Sequence, residues 1–559
     1  MTGDTPEIPY RSMSFHRAII PNKEIVRRGA ELGFNDMTFQ TEGGAIYDGG
    51  PIEKFREFRN WATEDGYFEL ADELDMTMTI WATELDAYDR SWGPITLEND
   101  ELWRRLDQRY EKILTDVLPE IDYLALKATE SRYQFPDSRL LTRLIDIVNH
   151  WCRETDTRLI LRPFTWHPDE HRMVIDAIED LPDDVIIQNK NWPQDWHQRS
   201  IDNPYIGTFD GHDEFVEVDF ANEYAYLGNL SNITSDIVER QFEDWVEAGV
   251  SGVAARVTRQ PATQNLPPEE QMFDILDHPN EANLWVLGYL LTGRETADAW
   301  QEYAEATYGE DVADTIIEIF KSTEQVVSEG LCVEKLHFGR TKWNGVLFSE
   351  EGNIPANMTF RGRWHNSALA TKNSDEVAES RLLGNPYARK GSRWRWDEDY
   401  VPKYHAIRKG EDDVITSKKR AYEEALETAD RSLKLLTSIE DDLSEDAYEY
   451  LRFRLEENRF HLVAKCEMQL AWLKESNRMY SEKPQEEQEE LRSEVLEHLH
   501  NVNKLTDRYN ETITVKWGGE TKELRGGGSE RVYIDIPGYL HEFRRYWQLD
   551  ECYDSFTVD

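Results

Sequence analysis

The chain has 559 residues, 39% of them hydrophobic, with 18 Trp, 25 Tyr and 21 Phe. That is enough for a large domain plus a smaller one, and it argues against disorder over most of the length. The formal net charge of −47 is spread along the whole sequence; such a surface would repel nucleic acid and anionic membranes and suits a halophilic, highly solvated protein better than one that recruits a basic partner.

Cys152, Cys332, Cys466 and Cys552 lie far apart with no CxxC spacing, against a structural zinc site or a disulfide framework. The start, MTGDTPEIPYRS, has neither a basic n-region nor an apolar h-region, and no apolar run is long enough to span a bilayer. The expectation is a soluble cytoplasmic protein.

In chain order, short β-like runs alternate with amphipathic helical stretches. The strands are predicted at Ser12–His16, Asp36–Gln40, Thr77–Thr83, Tyr123–Lys127, Arg158–Pro163, Val185–Lys190, Phe215–Glu223 and Gly252–Arg256. Helices are predicted between most of them, at Pro51–Glu64, Asn99–Val117, Ser138–Arg153, Asp169–Ile178 and Ser235–Ala248. Eight β/α units over roughly 260 residues have the size and order of a (β/α)8 TIM barrel. The stretch Asn191–Glu214 is rich in Trp, Pro, Asp and Gly and has little helical pattern. A long loop after a strand is where such a barrel keeps function.

Helical patterns resume at Glu281–Leu291, Thr296–Tyr308 and 311–329. Residues 330–411 read as long loops beside the barrel mouth. Ile415–Ser438, Glu445–Glu475 and Gln485–Glu511 carry apolar residues at helical spacing, like antiparallel helices of one domain. Gly526–Gly528 reads as a turn, and Arg531–Glu551 as an aromatic segment that docks back. The expected division is a barrel over 1–310, a helix and loop region over 311–411, and an α-helical C-terminal domain over 412–559.

Strand parity selects the inward side chains, because apolar residues that face the helices fix the outward set. Met37, Phe39, Met78, Ile80, Leu124, Leu126, Leu159, Leu161, Val253 and Ala255 are expected outward. Val216, Val218 and Phe220 fall on one side of the seventh strand, and Glu217, Asp219, Ala221 and Glu223 on the other. The strand ends then present Gln40, Trp81, Lys127, Arg162, Lys190, Glu223 and Arg256 at the mouth.

Charges this deep need partners. Either the four cations pair internally with Glu217, Asp219 and Glu223, or they form a cationic rim for an anionic ligand. The second reading is preferred, since four cations exceed what internal pairing requires. A sugar carboxylate suits such a rim, with arginine as a forked clamp. Trp81, Trp166, Trp192 and Trp196 would supply stacking faces. His16, Arg17 and His167 are further candidate contacts. His167 and His171 have a spacing that could place two metal ligands on a helix, but Pro168 puts His167 before the helix, and no metal or other cofactor is expected.

Several segments resemble glycoside hydrolase family 67, the α-glucuronidases. DDVIIQNKNWPQDWHQ (Asp183–Gln198) is similar to that family's buried strand ending in Lys-Asn-Gly-Pro, with Lys190 and Asn191 matching and Trp192 in place of the Gly. VEVDFANEYAYLG resembles its Gln-Glu-Tyr-Leu-Gly segment. YLALKATES, LILRPFTW and EANLWVLGYLLTGRETADAWQEYAEATYG resemble further segments, and all keep their order from about Asp75 to Gly309. There is no counterpart of the family's separate N-terminal domain, nor of the Asp that follows its last strands.

The resemblance implies an inverting glycosidase without a cofactor, with Glu223 as general acid. The general base is unassigned; Glu42, Glu84, Glu130 and Glu281 are candidates, and Asp219 is expected beneath the site as a partner. One carboxylic acid would protonate the leaving oxygen while a second carboxylate activates water. The expected partner is an oligosaccharide bearing a uronic acid. The alternatives are a sugar isomerase, epimerase or lyase on the same barrel, or a carbohydrate-binding barrel without catalysis. Sugar, linkage and self-association into a homo-oligomer are left open by the sequence.

Overall fold

A computed structural model describes residues 7–16, 23–40, 51–84, 92–128, 135–164, 170–191, 203, 205–222, 230–258, 275–276, 278–333, 336–337, 406–407, 409–509, 512–517 and 520–525. Eight parallel strands close into a barrel in sequential order: β1 (Tyr10–His16), β2 (Asp36–Gln40), β3 (Thr77–Thr83), β4 (Tyr123–Lys127), β5 (Arg158–Leu161), β6 (Ile186–Lys190), β7 (Glu214–Asp219) and β8 (Gly252–Arg256). Closure comes from β1, which pairs with β2 on one side and with β8 on the other. This is the expected TIM barrel.

The helices around it are α1 (Lys23–Glu31), α2 (Pro51–Glu64), α3 (Tyr67–Leu74), α4 (Asp100–Lys112), α5 (Ser138–Glu154), α6 (Glu170–Ile178), α7 (Ser235–Ala248) and α8 (Glu281–Leu291). Local chemistry sets several boundaries. Asn99 and Asp137 cap α4 and α5 by accepting from Leu102 N and Arg139 N, and Gly249 ends α7 at φ 79°. No helix joins β6 to β7 among the described residues. That connection is organised instead by the Glu214 carboxylate, which accepts from Gly207 N at 2.8 Å and Phe209 N at 3.0 Å.

The outward parity is as expected. Met37, Phe39, Met78, Ile80, Leu124, Leu126, Leu159, Leu161, Val216, Val218, Val253 and Ala255 all join the apolar layer between barrel and helices. Helix α8 is buried along its whole length. Gly288 makes this possible, because a Cβ there would lie 2.8 Å from the Leu32 carbonyl oxygen.

Two strand ends need correction. β5 stops at Leu161 rather than Pro163, and β7 stops at Asp219 rather than Glu223. The cause at β7 is visible in its hydrogen bonds. Phe220 N and Ala221 N both donate to the Arg256 carbonyl at 3.0 Å, so the ladder with β8 ends there. Asn222 then turns the chain at φ 51°.

Beyond the barrel, α9 (Thr296–Tyr308) leads into α10 (Ala313–Leu331). The long helices α11 (Asp412–Ser438), α12 (Glu445–Tyr480) and α13 (Gln485–Tyr509) form the C-terminal helical layer, and α10 packs on both α11 and α12. Two short pairs of strands complete the described chain: β9 (Cys332–Val333) with β10 (Leu336–His337), and β11 (Thr512–Trp517) with β12 (Glu520–Arg525). Neither pair was expected from the sequence, which read 330–411 as long loops and the C-terminal domain as helical. No helix among the described residues is long and apolar enough to cross a membrane.

The barrel floor is polar. Asp36 accepts from Tyr10 Oη (3.0 Å), Ser12 Oγ (2.6 Å) and Thr38 Oγ1 (3.1 Å) through one oxygen, and from Thr77 (2.8 Å) and Thr79 (2.9 Å) through the other. Burial pushes its carboxyl from 3.8 up to about 6, against the pull of these hydroxyls. The folded chain therefore retains a proton that the unfolded chain has lost, and stability should fall as pH rises from about 4 to about 6, then level off. Urea unfolding at pH 4.5 and pH 7 is expected to show this contribution shrinking by about 2 kcal/mol in the wild type relative to Asp36→Asn.

Candidate active site

Beside the Asp36 network the interior is apolar. Tyr10 stacks on Phe215 with ring centroids 4.3 Å apart and meets Tyr123 edge-on at 5.1 Å. Ala125, Ile160, Ile186 and Trp81 close this cluster. Charge begins where it ends. Arg162, just past β5, donates to Glu217 Oε2 through Nε at 3.0 Å and Nη2 at 2.6 Å, and both side chains are wholly buried. Gln188 Nε2 adds a third contact to that oxygen at 3.3 Å. The guanidinium lies 3.6 Å above the Trp81 ring. A planar guanidinium can stack and chelate at once, which a lysine could not do.

At the same end, Lys127 Nζ lies 5.9 Å from the Trp81 ring centroid, and Lys190 Nζ lies 3.6 Å over Phe164. Arg256 is buried at the end of β8 and Gln40 at the end of β2, where the Gln40 amide donates to Ser14 Oγ at 2.8 Å. The structure thus brings Gln40, Trp81, Lys127, Arg162, Lys190 and Arg256 to one end of the barrel. It also answers part of the question about their charge. Arg162 is held by Glu217, so internal pairing accounts for this member of the rim.

Other expected site residues are turned elsewhere. Asn191 donates to Gln241 of α7 at 3.3 Å, on the outward side of β6. Glu84 follows β3 on its outward parity and is gripped by Arg109 (2.7 Å) and Tyr110 (3.0 Å) of α4. Glu281, in the first turn of α8, meets Trp285 Nε1 at 3.3 Å and Arg28 at 3.5 Å. Neither carboxylate joins the inward set, because each is claimed by a helix. Glu223, Glu42, Glu130, Trp166, Trp192, Trp196, Arg17 and His167 lie outside the described residues, as do the side chains of His16 and His171. Asp219 ends β7 on its inward side.

No group of His, Cys, Asp and Glu suited to a metal occurs among the described residues. Sequence reasoning placed Glu217 inward but did not foresee it as the dedicated partner of Arg162. Their pairing depends on the stagger between β5 and β7, which alternation alone does not reveal.

No family model and no curated protein matches the sequence. Solved structures do match in fold. A GH138 enzyme targeting pectin rhamnogalacturonan II aligns over 90% of this chain with a TM-score of 0.57 and 12% identity. The chain spans 63% of that neighbour's length. A mutant of the Thermobaculum terrenum O-GlcNAc hydrolase aligns over 89% of this chain and 95% of its own, with a TM-score of 0.39 and 9% identity. The barrel with its helical C-terminal region is therefore an architecture found in a solved glycoside hydrolase.

Breaking the Arg162–Glu217 pair should be expensive, because it strands a buried charge. Arg162→Met and Glu217→Leu are each expected to lower unfolding stability by about 3–5 kcal/mol, whereas the double variant should lose far less than the sum. Urea titration of the three proteins checks this.

Proposed function

We propose that the chain is a glycoside hydrolase acting on an oligosaccharide that carries a uronic acid, with Glu223 as general acid. The observation that carries this reading is the inward layer at the carboxyl ends of the strands. It combines an aromatic face, Trp81, with buried cations from four strand ends: Lys127, Arg162, Lys190 and Arg256. A stacking face beside cationic donors suits a sugar ring bearing a carboxylate. This layer sits where a TIM barrel keeps its chemistry. The fold likeness to an enzyme targeting a pectic polysaccharide supports the same substrate class.

In this reading Lys127, Lys190 and Arg256 orient the sugar carboxylate, while Arg162, neutralised by Glu217, holds Trp81 in place by stacking on its ring. Glu223, one residue past Asn222, protonates the leaving oxygen. A second carboxylate activates water from the opposite side of the ring, and inversion follows. Glu84 and Glu281 are engaged by helices, so Glu42 and Glu130 are the first carboxylates to test as base. Trp192 and His167 are assigned to substrate contact.

A screen of uronic-acid oligosaccharides with wild type and Glu223→Gln tests this. Turnover by the wild type and a loss of about 10²–10⁴-fold in the variant is expected; equal activity would overturn the assignment. Binding without turnover would favour a carbohydrate-binding barrel. In the same screen Lys127→Met and Lys190→Met are expected to raise KM for uronides by roughly tenfold or more, with little change for neutral analogues.

A further inference from the structure

The segment Leu230–Thr234 is fully buried between the barrel and the helical layer, yet it belongs to no sheet. Buried backbone must find partners, and here side chains supply them. Four consecutive amides donate to side chains: Ser231 N to Asn458 Oδ1 (3.1 Å), Asn232 N to Asn280 Oδ1 (2.7 Å), Ile233 N to Thr323 Oγ1 (3.1 Å), and Thr234 N to Asn283 Oδ1 (2.8 Å). The carbonyls are taken by the same asparagines. Asn280 Nδ2 donates to Leu230 O (3.2 Å), Asn458 Nδ2 to Ser231 O (2.7 Å), and Asn283 Nδ2 to Asn232 O (3.1 Å).

The two edges of the segment are served from different bodies. Asn280, just before α8, and Asn283, in its first turn, hold one edge. Thr323 of α10 and Asn458 of α12 hold the other. A side-chain amide presents a donor and an acceptor as a peptide does, so the asparagines stand in for neighbouring strands.

A fourth asparagine ties this segment to β7. Asn222 Nδ2 donates to Phe220 O and Asn232 O, both at 3.2 Å, and Asn232 Nδ2 donates to Asn222 Oδ1 at 2.9 Å. Asn222 holds φ at 51°, a left-handed conformation that is costly for most residues and that asparagine tolerates. The chain leaving β7 and the chain entering α7 are thereby joined side chain to side chain.

We infer that Asn458 of the helical layer, with Asn280, Asn283 and Asn222, is a positioning residue for the residue after Asn222, and that the helical layer is thus part of the active-site scaffold. The inference rests on the reading of Glu223 as general acid. Asn458 fixes Ser231 at both its amide and its carbonyl, Asn232 passes the constraint to Asn222, and Asn222 is the residue immediately before Glu223. The helical layer acts on the chemistry without touching substrate.

The test compares wild type, Asn458→Ala, Asn458→Asp, Asn222→Ala and Asn222→Gly. The probes are 4-nitrophenyl α-D-glucuronide and a methyl glycoside of the same uronic acid, with hydrogen exchange measured over 220–234. A good leaving group needs little protonation, so an acid that is misplaced rather than absent should matter mainly for the poor one. Asn458→Ala is expected to lose about 10–100-fold in kcat on the methyl glycoside, about threefold or less on the nitrophenyl substrate, with KM little changed. Exchange over 220–234 should rise while that of β1–β6 stays as in the wild type.

Asn458→Asp keeps the acceptor for Ser231 N and should lie between wild type and Ala. Asn222→Gly keeps the backbone turn and should retain more activity than Asn222→Ala. Equal losses on both substrates, or wild-type exchange over 220–234 in Asn458→Ala, would overturn the inference. A wild type that turns over neither probe nor any other uronide would overturn the reading of Glu223 instead, and the exchange measurement would still decide whether the clamp holds the segment.

Discussion

The upper barrel depends on one buried ion pair. Arg162 and Glu217 are both withdrawn from water, and such a pair is tolerated only when geometry and extra hydrogen bonds offset desolvation. Here the offset is structural. Arg162 delivers two donors to one carboxylate oxygen, Gln188 adds a third, and Trp81 covers the guanidinium face. Those four side chains come from β3, β6, β7 and the end of β5. A shift of one residue in any of these strands would turn its member of the set toward the helices. The pair therefore specifies register across half the barrel as well as local charge.

The interior changes character along the strands. Near their amino ends, five hydroxyls converge on Asp36, which burial inclines toward its neutral form. Beside that network Tyr10, Phe215, Ile160 and Ile186 pack as an apolar cluster, and the Tyr10 hydroxyl joins the two by donating to Asp36. The cations and Trp81 come further along the strands, toward their carboxyl ends. Alternation alone carries each strand through this change, since residues two apart point inward at successive heights.

That is why so much of the barrel was legible beforehand. β2, β3, β4 and β8 follow their apolar alternation to the residue, and each cation expected inward at a strand end is found buried there. Alternation fails where hydrogen bonding, not hydrophobicity, ends a strand. Nothing in FVEVDFANE signals that Phe220 and Ala221 will share the Arg256 carbonyl. Glu84 and Glu281 were equally opaque, because their partners Arg109, Tyr110 and Arg28 are brought near only by helix packing. The asparagines around Leu230–Thr234 follow no period at all; they come from separate elements, and their common purpose exists only in the folded chain.

The last link joins the rim to the helical layer. Arg256 offers its side chain at the end of β8 while its carbonyl receives Phe220 N and Ala221 N, and so ends β7. The chain then turns at Asn222 in a left-handed conformation, and that turn is stabilised because Asn222 bonds Asn232 in both directions. Asn232 is in turn fixed by Asn280 and Asn283, and its neighbour Ser231 by Asn458. Because α10 and α12 cover one edge of this segment, Thr323 and Asn458 supply there the partners that water would otherwise give. The helical layer thus enters the same hydrogen-bond accounting that ends β7 at Asp219, and barrel and helices share the segment Leu230–Thr234.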